Sequence, residues 1–513
     1  QSGILYTGTD DGIIHASEDD GQNWTKAAEL PGMPSLSFIN DIEASSYDIR
    51  TVFVAADAHK EGDYTPYIFR STNGGRSWKN IAGDLPKGVI VWSIKQDPVQ
   101  SDLLFIGAEN GMYFSYNAGE NWIKLNASAP TISYRDIELH ERDHDLIGGT
   151  FGRGIYILDD YSPLRYIPDL AETQSHTIFP VRDAWWYIEQ TPLQASGMPS
   201  QGSAAYRAPN PPYGATISYY LSDLPKTPAQ QRQSEAQVLE AEGKDIPFPG
   251  WETLRADALE DVPKTLLLIK DASGEPVRWL EGGQSRGLHR TTWDLRFPAP
   301  DPISFSTPGF RPPWVGIPQG PLVAPGIYSV ELYVLYNGKL QTQGGAQEFI
   351  VKPIPALEGR DFEETFAFHK ELNDLSREMN SAGSSLDEAS NRLRHIEAAL
   401  VQTSTLAPEL FEQLAALTRQ QAELITQLYG DRIRRSKDIS VEPAIAGRLN
   451  QVLYGLSETS LPPTQTHHTN VALASQGFEQ FKISLQDFWS ELEKYETQVQ
   501  QAGAPYTPGQ KLR

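Results

Sequence analysis

The sequence predicts a multidomain protein, mainly β and then α: a partial β-propeller of three to four blades, a β-sandwich and a C-terminal helical bundle. Three observations predict it. One octapeptide recurs three times in the opening third, short alternating strands separated by Pro-rich turns follow, and from Arg360 onward the apolar period becomes helical. The expected divisions are 1–160 for the blades, 161–355 for the sandwich with a helical insertion near 226–261, and 356–513 for the bundle.

The octapeptide is Ser-x-(Asp/Asn)-x-Gly-x-x-Trp. It places Ser17, Asp19, Gly21 and Trp24 in the first copy, Ser71, Asn73, Gly75 and Trp78 in the second, and Ser115, Asn117, Gly119 and Trp122 in the third. A short Asp or Asn accepts hydrogen bonds from nearby backbone N–H groups, Gly permits positive φ, and Trp supplies a large ring to bury, so each copy pins a turn. Strand-like runs precede each copy, as in Leu103–Gly107 with Met112–Ser115, and further alternating runs, Phe38–Glu43, Val91–Lys95 and Ser133–Glu138, lie between copies. Four strands per repeat is the signature of a propeller blade. The second repeat is lengthened by the polar insertion His59–Pro66, and a fourth repeat, Leu146–Asp160, keeps the strands without the octapeptide.

These repeats resemble Asp-box (BNR) repeats, and their order, closing on Gly149-Thr150-Phe151-Gly152-Arg153-Gly154-Ile155-Tyr156, is similar to the propellers of sortilin-like and xyloglucanase-like proteins. The resemblance implies a fold, because in that family the box is a structural turn on the outer side of the blade. Closed propellers take roughly four to eight blades. The first repeat lacks an innermost strand before Ile4, so an upstream propeller polypeptide, or a cleaved N-terminal part, is the expected partner that completes the ring.

Tyr161–Ile167 reads as an exit linker. After it, Ala215–Tyr220, Thr265–Lys270, His289–Leu295 and Gly326–Val334 are spaced like sandwich strands, and Lys270–Arg278 with Pro325–Tyr328 resembles the immunoglobulin-like modules of secreted bacterial proteins. The Pro-dense stretch Pro298–Pro325 is expected to clip neighbouring parts together through Phe310 and Trp314, a binding loop being the alternative. Helical periodicity then predicts a segment with Phe362, Phe366, Leu372 and Leu375, a second with Leu393, Ile396 and Leu400, and a third from Pro408 to Gly430. Two more are expected over Pro443–Leu456 and Asn470–Gln500, joined by a loop that carries His467 and His468.

The formal charge of −23 and the lack of clustered Lys and Arg argue against nucleic acid as a partner. No apolar run approaches the roughly 20 residues that span a bilayer, so direct membrane insertion is not expected. With no Cys, disulfides, thiolate metal sites and Cys nucleophiles are excluded. No phosphate loop, dinucleotide fingerprint or nucleophile elbow sits where strand and helix would support it, so no cofactor is expected. His140–Asp145 concentrates possible ligands but reads as a polar hairpin, and no metal is expected either.

Asp41 and Asp136 stand at corresponding places near the starts of innermost strands, where the remaining blade has Trp92 and Ser93. They are the best candidates for the paired carboxylates of glycoside hydrolysis, although a strand-edge Asp bonding a neighbouring loop is the plainer role. The chain alone is read as a binding or assembly protein with a protein or glycan ligand, extracellular, at the cell surface or periplasmic, and not as an enzyme. The alternatives are a glycoside hydrolase, xyloglucanase- or sialidase-like, completed by missing N-terminal blades, and a sortilin-like peptide binder.

Overall fold

Short turns between strands force consecutive strands to pair, and the first part of the chain is a run of four antiparallel meanders. A computed structural model describes residues 3–126, 129–172, 175–190, 202–203, 208–305, 310, 317–404 and 407–508. The first sheet is β1 (Leu5–Gly8), β2 (Ile14–Ser17) and β3 (Thr25–Lys26). The second is β4 (Phe38–Ala44), β5 (Val52–Ala58), β6 (Asp63–Ser71) and β7 (Lys79–Asn80). The third repeats that order with β8 (Val91–Gln96), β9 (Leu104–Ala108), β10 (Gly111–Ser115) and β11 (Ile123–Lys124). The fourth has β12 (Tyr134–His140), β13 (Asp145–Thr150) and β14 (Ile155–Leu158).

The sheets stack as blades, and in the second and third the middle strands β5, β9 and β10 are covered on both faces. Along β5, Phe53 and Ala55 join Ile94, Leu104 and Ile106 in a core toward the third sheet, whereas Val54 and Ala56 join Ile14 and Phe69 toward the first. Phe105 and Met112 turn the other way, toward Ile137 and Leu146 of the fourth sheet. Period-two alternation therefore feeds two cores at once, each large side chain contributing about 1.5–3 kcal/mol of burial.

The octapeptide turns fasten neighbouring blades. Ser115 donates to Asn117 Oδ1 (2.9 Å) and accepts the Gly119 N–H (2.9 Å), while Asn117 Oδ1 also accepts the Asn121 N–H (2.9 Å). Gly119 has φ +90°, and a Cβ there would meet Ile81 at 2.8 Å, so only glycine lets the turn close on the preceding blade. Trp122 Nε1 then donates to the Ile81 carbonyl (2.9 Å), and Trp78 Nε1 to that of Ala28 (3.0 Å). Burial of the ring is not general, against expectation: Trp122 is 8% exposed, but Trp24 is 42% exposed and bonds only within its own turn, to Gly21 O (3.1 Å).

The expected exit linker is instead a fastening. Tyr161 is fully buried and Ser162–Tyr166 forms a 3-10 turn leading into α1 (Ile167–Glu172). Asp97, buried in the β8–β9 connection, accepts from Tyr161 Oη (2.8 Å), twice from the Arg165 guanidinium (2.8 and 2.9 Å) and from the backbone of Val99 and Gln100. A buried carboxylate is tolerated only when its lone pairs are filled in this way.

The chain forms two compact units. The first is Gln1–Phe179 with Ser218–Leu224 and Ser285–Leu288, and the second is Pro180–Ile217 with Pro225–Gln284 and His289–Arg513. Strand β15 (Thr177–Ile178) follows the blades, then β16 (Ala184–Trp186) and β17 (Ala215–Leu221). The insertion between 226 and 261 holds two helices, α2 (Pro228–Ala241), capped by Thr227, and α3 (Trp251–Asp257). Strands β18 (Lys264–Asp271), β19 (Pro276–Glu281), β20 (Gly287–Trp293), β21 (Gly326–Tyr336) and β22 (Lys339–Pro353) complete the β layer. Five of them make one sheet in the order β16-β22-β21-β18-β19, and Trp293 of β20 packs its buried ring on Tyr328 and Phe349 of that sheet, as a sandwich core requires. Against the expected clip, Phe310 is 90% exposed, and Trp314 lies outside the described residues.

The two expected helical segments after Arg360 are one helix, α4 (Glu363–Leu400), of 38 residues. It runs through the weak helix formers Ser381, Gly383 and Ser384 because tertiary packing outweighs propensity, Gly383 leaving room for the Tyr429 hydroxyl, 2.0 Å from where a Cβ would stand. Helices α5 (Pro408–Tyr429), α6 (Arg432–Arg435), α7 (Ile445–Ser457) and α8 (Gln465–Gln501) follow. The four long helices share a core containing Leu393, Leu424, Val452, Phe478 and Leu492. His467 and His468 are not in a loop but in the first turn of α8, where Thr464 and His467 form a reciprocal capping box.

Candidate functional site at the inner-strand bulges

Register explains where a site can form. Strands β4, β8 and β12 lie side by side as the innermost strands, and each carries a bulge near its start: between Ile39 and Asp41, between Val91 and Ser93, and between Tyr134 and Asp136. The residues pushed out of register are Asn40, Trp92 and Arg135. A bulge re-aims a side chain and leaves the strand locally unpaired, so the same device at the same place in three blades points three side chains toward one end of the arc.

At that end the side chains form a ladder. The Arg135 guanidinium lies over the Trp92 ring (3.6 Å) and within 5.3 Å of the Phe151 ring, and His59 meets the other part of Trp92 edge-on (5.5 Å). Glu109 ties it down, accepting from Trp92 Nε1 (2.9 Å) and Ser133 Oγ (2.9 Å) with Arg135 at 3.9 Å. Buried Asp57 holds His59 Nδ1 through a carboxylate oxygen and accepts from Asn40 Nδ2 (2.7 Å), which also reaches the Val91 carbonyl of the next blade (2.9 Å). Lys60 sits over Phe38 (3.9 Å). Phe151 is 70% exposed, so the ladder ends in an open aromatic face beside cationic groups.

Asp41 and Asp136 occupy equivalent positions just after the bulges, opposite Ala55 and Gly149, with Ser93 opposite Gly107 in the blade between. Asp41 accepts the Ile94 N–H of the neighbouring strand β8 (2.9 Å). Burial nevertheless raises its pKa above the ordinary carboxylate value, and the charge of Asp136 adds to that, against Lys95. Farther along, Lys95 joins Glu43 (3.5 Å) and Glu138 (3.3 Å) across three blades. Burial opposes the charge on Lys95, yet these carboxylates raise its pKa; burial likewise raises that of Glu43.

Because the folded-state pKa of Asp41 is raised, the folded protein binds more protons than the unfolded chain between the ordinary and the raised value. This group therefore costs stability as pH rises through that window. Asp41→Asn, which can still accept from Ile94, is expected to raise the melting temperature at pH 7, with the gain shrinking toward pH 4. A pH series of thermal melts checks this.

The His140–Asp145 hairpin brings ligand atoms of His140, Asp143 and Asp145 within 4.8 Å of one another. Asp143 is engaged by Arg142 (2.8 Å) and lies 3.1 Å from His140 Nδ1, while Asp145 accepts the Asp160 N–H (2.9 Å). Sequence reasoning reached Asp41, Asp136 and Trp92 by aligning repeats, but it missed Arg135, Glu109, Phe151 and the Asp57–His59 pair. The polar insertion beginning at His59 and the turn Glu109–Gly111 were the available signals, since both face the strand starts.

Neither a family profile nor a curated protein sequence matches the chain significantly. Solved structures to which it is similar include YCF48 bound to D1 peptide, at 16% identity and TM-score 0.25, covering 31% of this chain and 48% of that one. The GH74 xyloglucanase from Xanthomonas campestris is 14% identical with TM-score 0.25, covering 67% and 43%. PorZ, a bacterial surface component of the type-IX secretion system of Porphyromonas gingivalis, is 11% identical with TM-score 0.23, covering 67% and 36%. The chain thus spans less than half the length of each, and these neighbours are β-propeller proteins. Among the described residues no helix is long and apolar enough to cross a membrane.

Proposed function

We propose that this chain is a binding and assembly protein that takes a protein or glycan ligand at the inner-strand end of its blades, outside the cell or at its surface. The observation that carries the reading is the ladder Phe151–Arg135–Trp92–His59, built on bulges and braced by Glu109 and Asp57. Rigid aromatic faces beside a guanidinium suit the apolar face of a sugar ring or an aromatic or acidic peptide side chain, at little cost in side-chain ordering. The octapeptide turns support the Asp-box reading, in which the blade's outer side is structural and the ligand lies elsewhere. The last sheet exposes Ile155 (65%) and Ile157 (57%), an apolar face suited to further blades carried upstream or by a separate polypeptide.

A second reading, glycoside hydrolysis, is favoured by one observation: the raised pKa of Asp41 with Asp136 acting on it. Parallel glycan and peptide arrays, with product analysis of any bound oligosaccharide, separate the readings. Retention of an intact glycan or peptide, unchanged in Asp41→Asn and Asp136→Asn, is expected. Cleavage lost in those variants would replace the binding reading with the hydrolase, and an empty result on both arrays would sink the binding reading.

A further inference from the structure

Within the second unit, a cavity of about 340 Å³ lies where β16 and the segment 319–324 meet helices α4, α5 and α7. Its size falls in the range of roughly 300–1,000 Å³ seen for small-molecule sites. What is unusual is its floor. Helix α4 is amphipathic and buries Phe368, Leu372 and Met379, yet Thr365, His369, Asn373, Ser376 and Asn380, spaced at three and four residues, run as a polar stripe along the cavity.

Three groups of that stripe find no partner among the described residues. Thr365 (6% exposed) and Ser376 (4%) have hydroxyls without a hydrogen-bond partner, as does buried Nε2 of His369. A serine or threonine in a helix ordinarily bonds the carbonyl four residues back, as Ser390 does to Leu386 (3.1 Å). Leaving such groups dry costs stability, so an apolar stripe would make a more stable helix.

Arg296 supplies a charge opposite the stripe. Its guanidinium donates to the Gly320 carbonyl (2.9 Å); the charges of Asp294 and Glu189 act on it, but among the described residues neither forms an ion pair with it. Burial lowers the pKa of Arg296, and burial followed by the Arg296 charge lowers that of His369, which leaves the imidazole neutral and the guanidinium the sole positive group of the pair. Phe362, Phe366 and Leu453 furnish apolar walls, and Trp186 Nε1 is already spent on Val323 O (2.7 Å).

We propose that this cavity binds a small amphipathic monocarboxylate. Its carboxylate meets the Arg296 guanidinium, its hydrogen-bonding groups meet the Thr365–Asn380 stripe, and its hydrocarbon lies against Phe362 and Phe366. A carboxylate matches a single guanidinium bidentately, and one half-buried guanidinium that forms no ion pair among the described residues favours one negative charge. The site is separate from the blade ladder and stands or falls independently of it.

The test uses the full chain and two probes of equal shape, N-acetylphenylalanine and its primary amide. By calorimetry the carboxylate is expected to bind saturably, and the amide about tenfold or more weaker, the usual size of a charge-assisted bond. Arg296→Gln, its fold checked by circular dichroism, should abolish that preference. Thr365→Val gives a readout that survives if Arg296→Gln does not fold: it should raise the melting temperature of the free protein and weaken carboxylate binding. No saturable binding at millimolar carboxylate, equal binding of the amide, or tighter binding after Thr365→Val would each overturn the proposal and leave a water-filled cavity.

Discussion

Asp97→Ala is expected to destabilise the blade unit by about 3–5 kcal/mol, the cost of breaking a buried ion pair from one side. The carboxylate is fully buried and the Arg165 side chain only 11% exposed, so the guanidinium cannot recover its hydration when its partner is removed. Tyr161 Oη and the N–H groups of Val99 and Gln100 would also lose an acceptor. The pair joins the β8–β9 connection to the segment leaving the last blade, so the loss should appear as a lower urea midpoint of the whole unit and not as local fraying. A change below about 1 kcal/mol would mean that the segment is held by Tyr161 packing alone.

Trp122→Ala should cost a similar amount, about 3–5 kcal/mol, whereas Trp24→Ala at the same motif position should cost under about 1 kcal/mol. The motif is identical, and the difference lies in what stands behind it. Trp122 is buried against Ile81 and Leu85 and donates to the Ile81 carbonyl, so its removal opens a cavity and orphans an acceptor. Trp24 is 42% exposed and bonds its own turn. Denaturant titrations of the two variants check this, and equal losses would show that the tryptophan acts within its turn and not between blades.

The blades were legible because their information is local and repeated: the octapeptide fixes a turn, and alternation on either side fixes strands. Bulges are not legible in the same way. An inserted residue such as Trp92 or Arg135 satisfies the alternation on one side and breaks it on the other, so register decides, and register is set by the partner strand. Aligning repeats therefore reaches Asp41, Asp136 and Trp92 but not Arg135, the ladder residue one position before Asp136. Tyr161–Ile167 looks like a linker in sequence because its anchor, Asp97, is distant along the chain. Helix α4 looks divided in sequence because Ser381–Ser385 is weak in propensity, while Tyr429, which packs there, belongs to another helix. The polar stripe from Thr365 to Asn380 was hidden by the stronger apolar period of the same helix.

The most direct test of the account is the affinity of an array-identified ligand for the wild-type chain, Phe151→Ala and Trp24→Ala. Phe151 is 70% exposed at the open end of the ladder, so its loss should leave the fold intact and weaken binding about tenfold or more, as for an aromatic anchor. Trp24, on an octapeptide turn, should bind as wild type. Undiminished affinity in Phe151→Ala with a loss in Trp24→Ala would put the ligand on the turns and contradict the assignment of the inner-strand end as the binding surface.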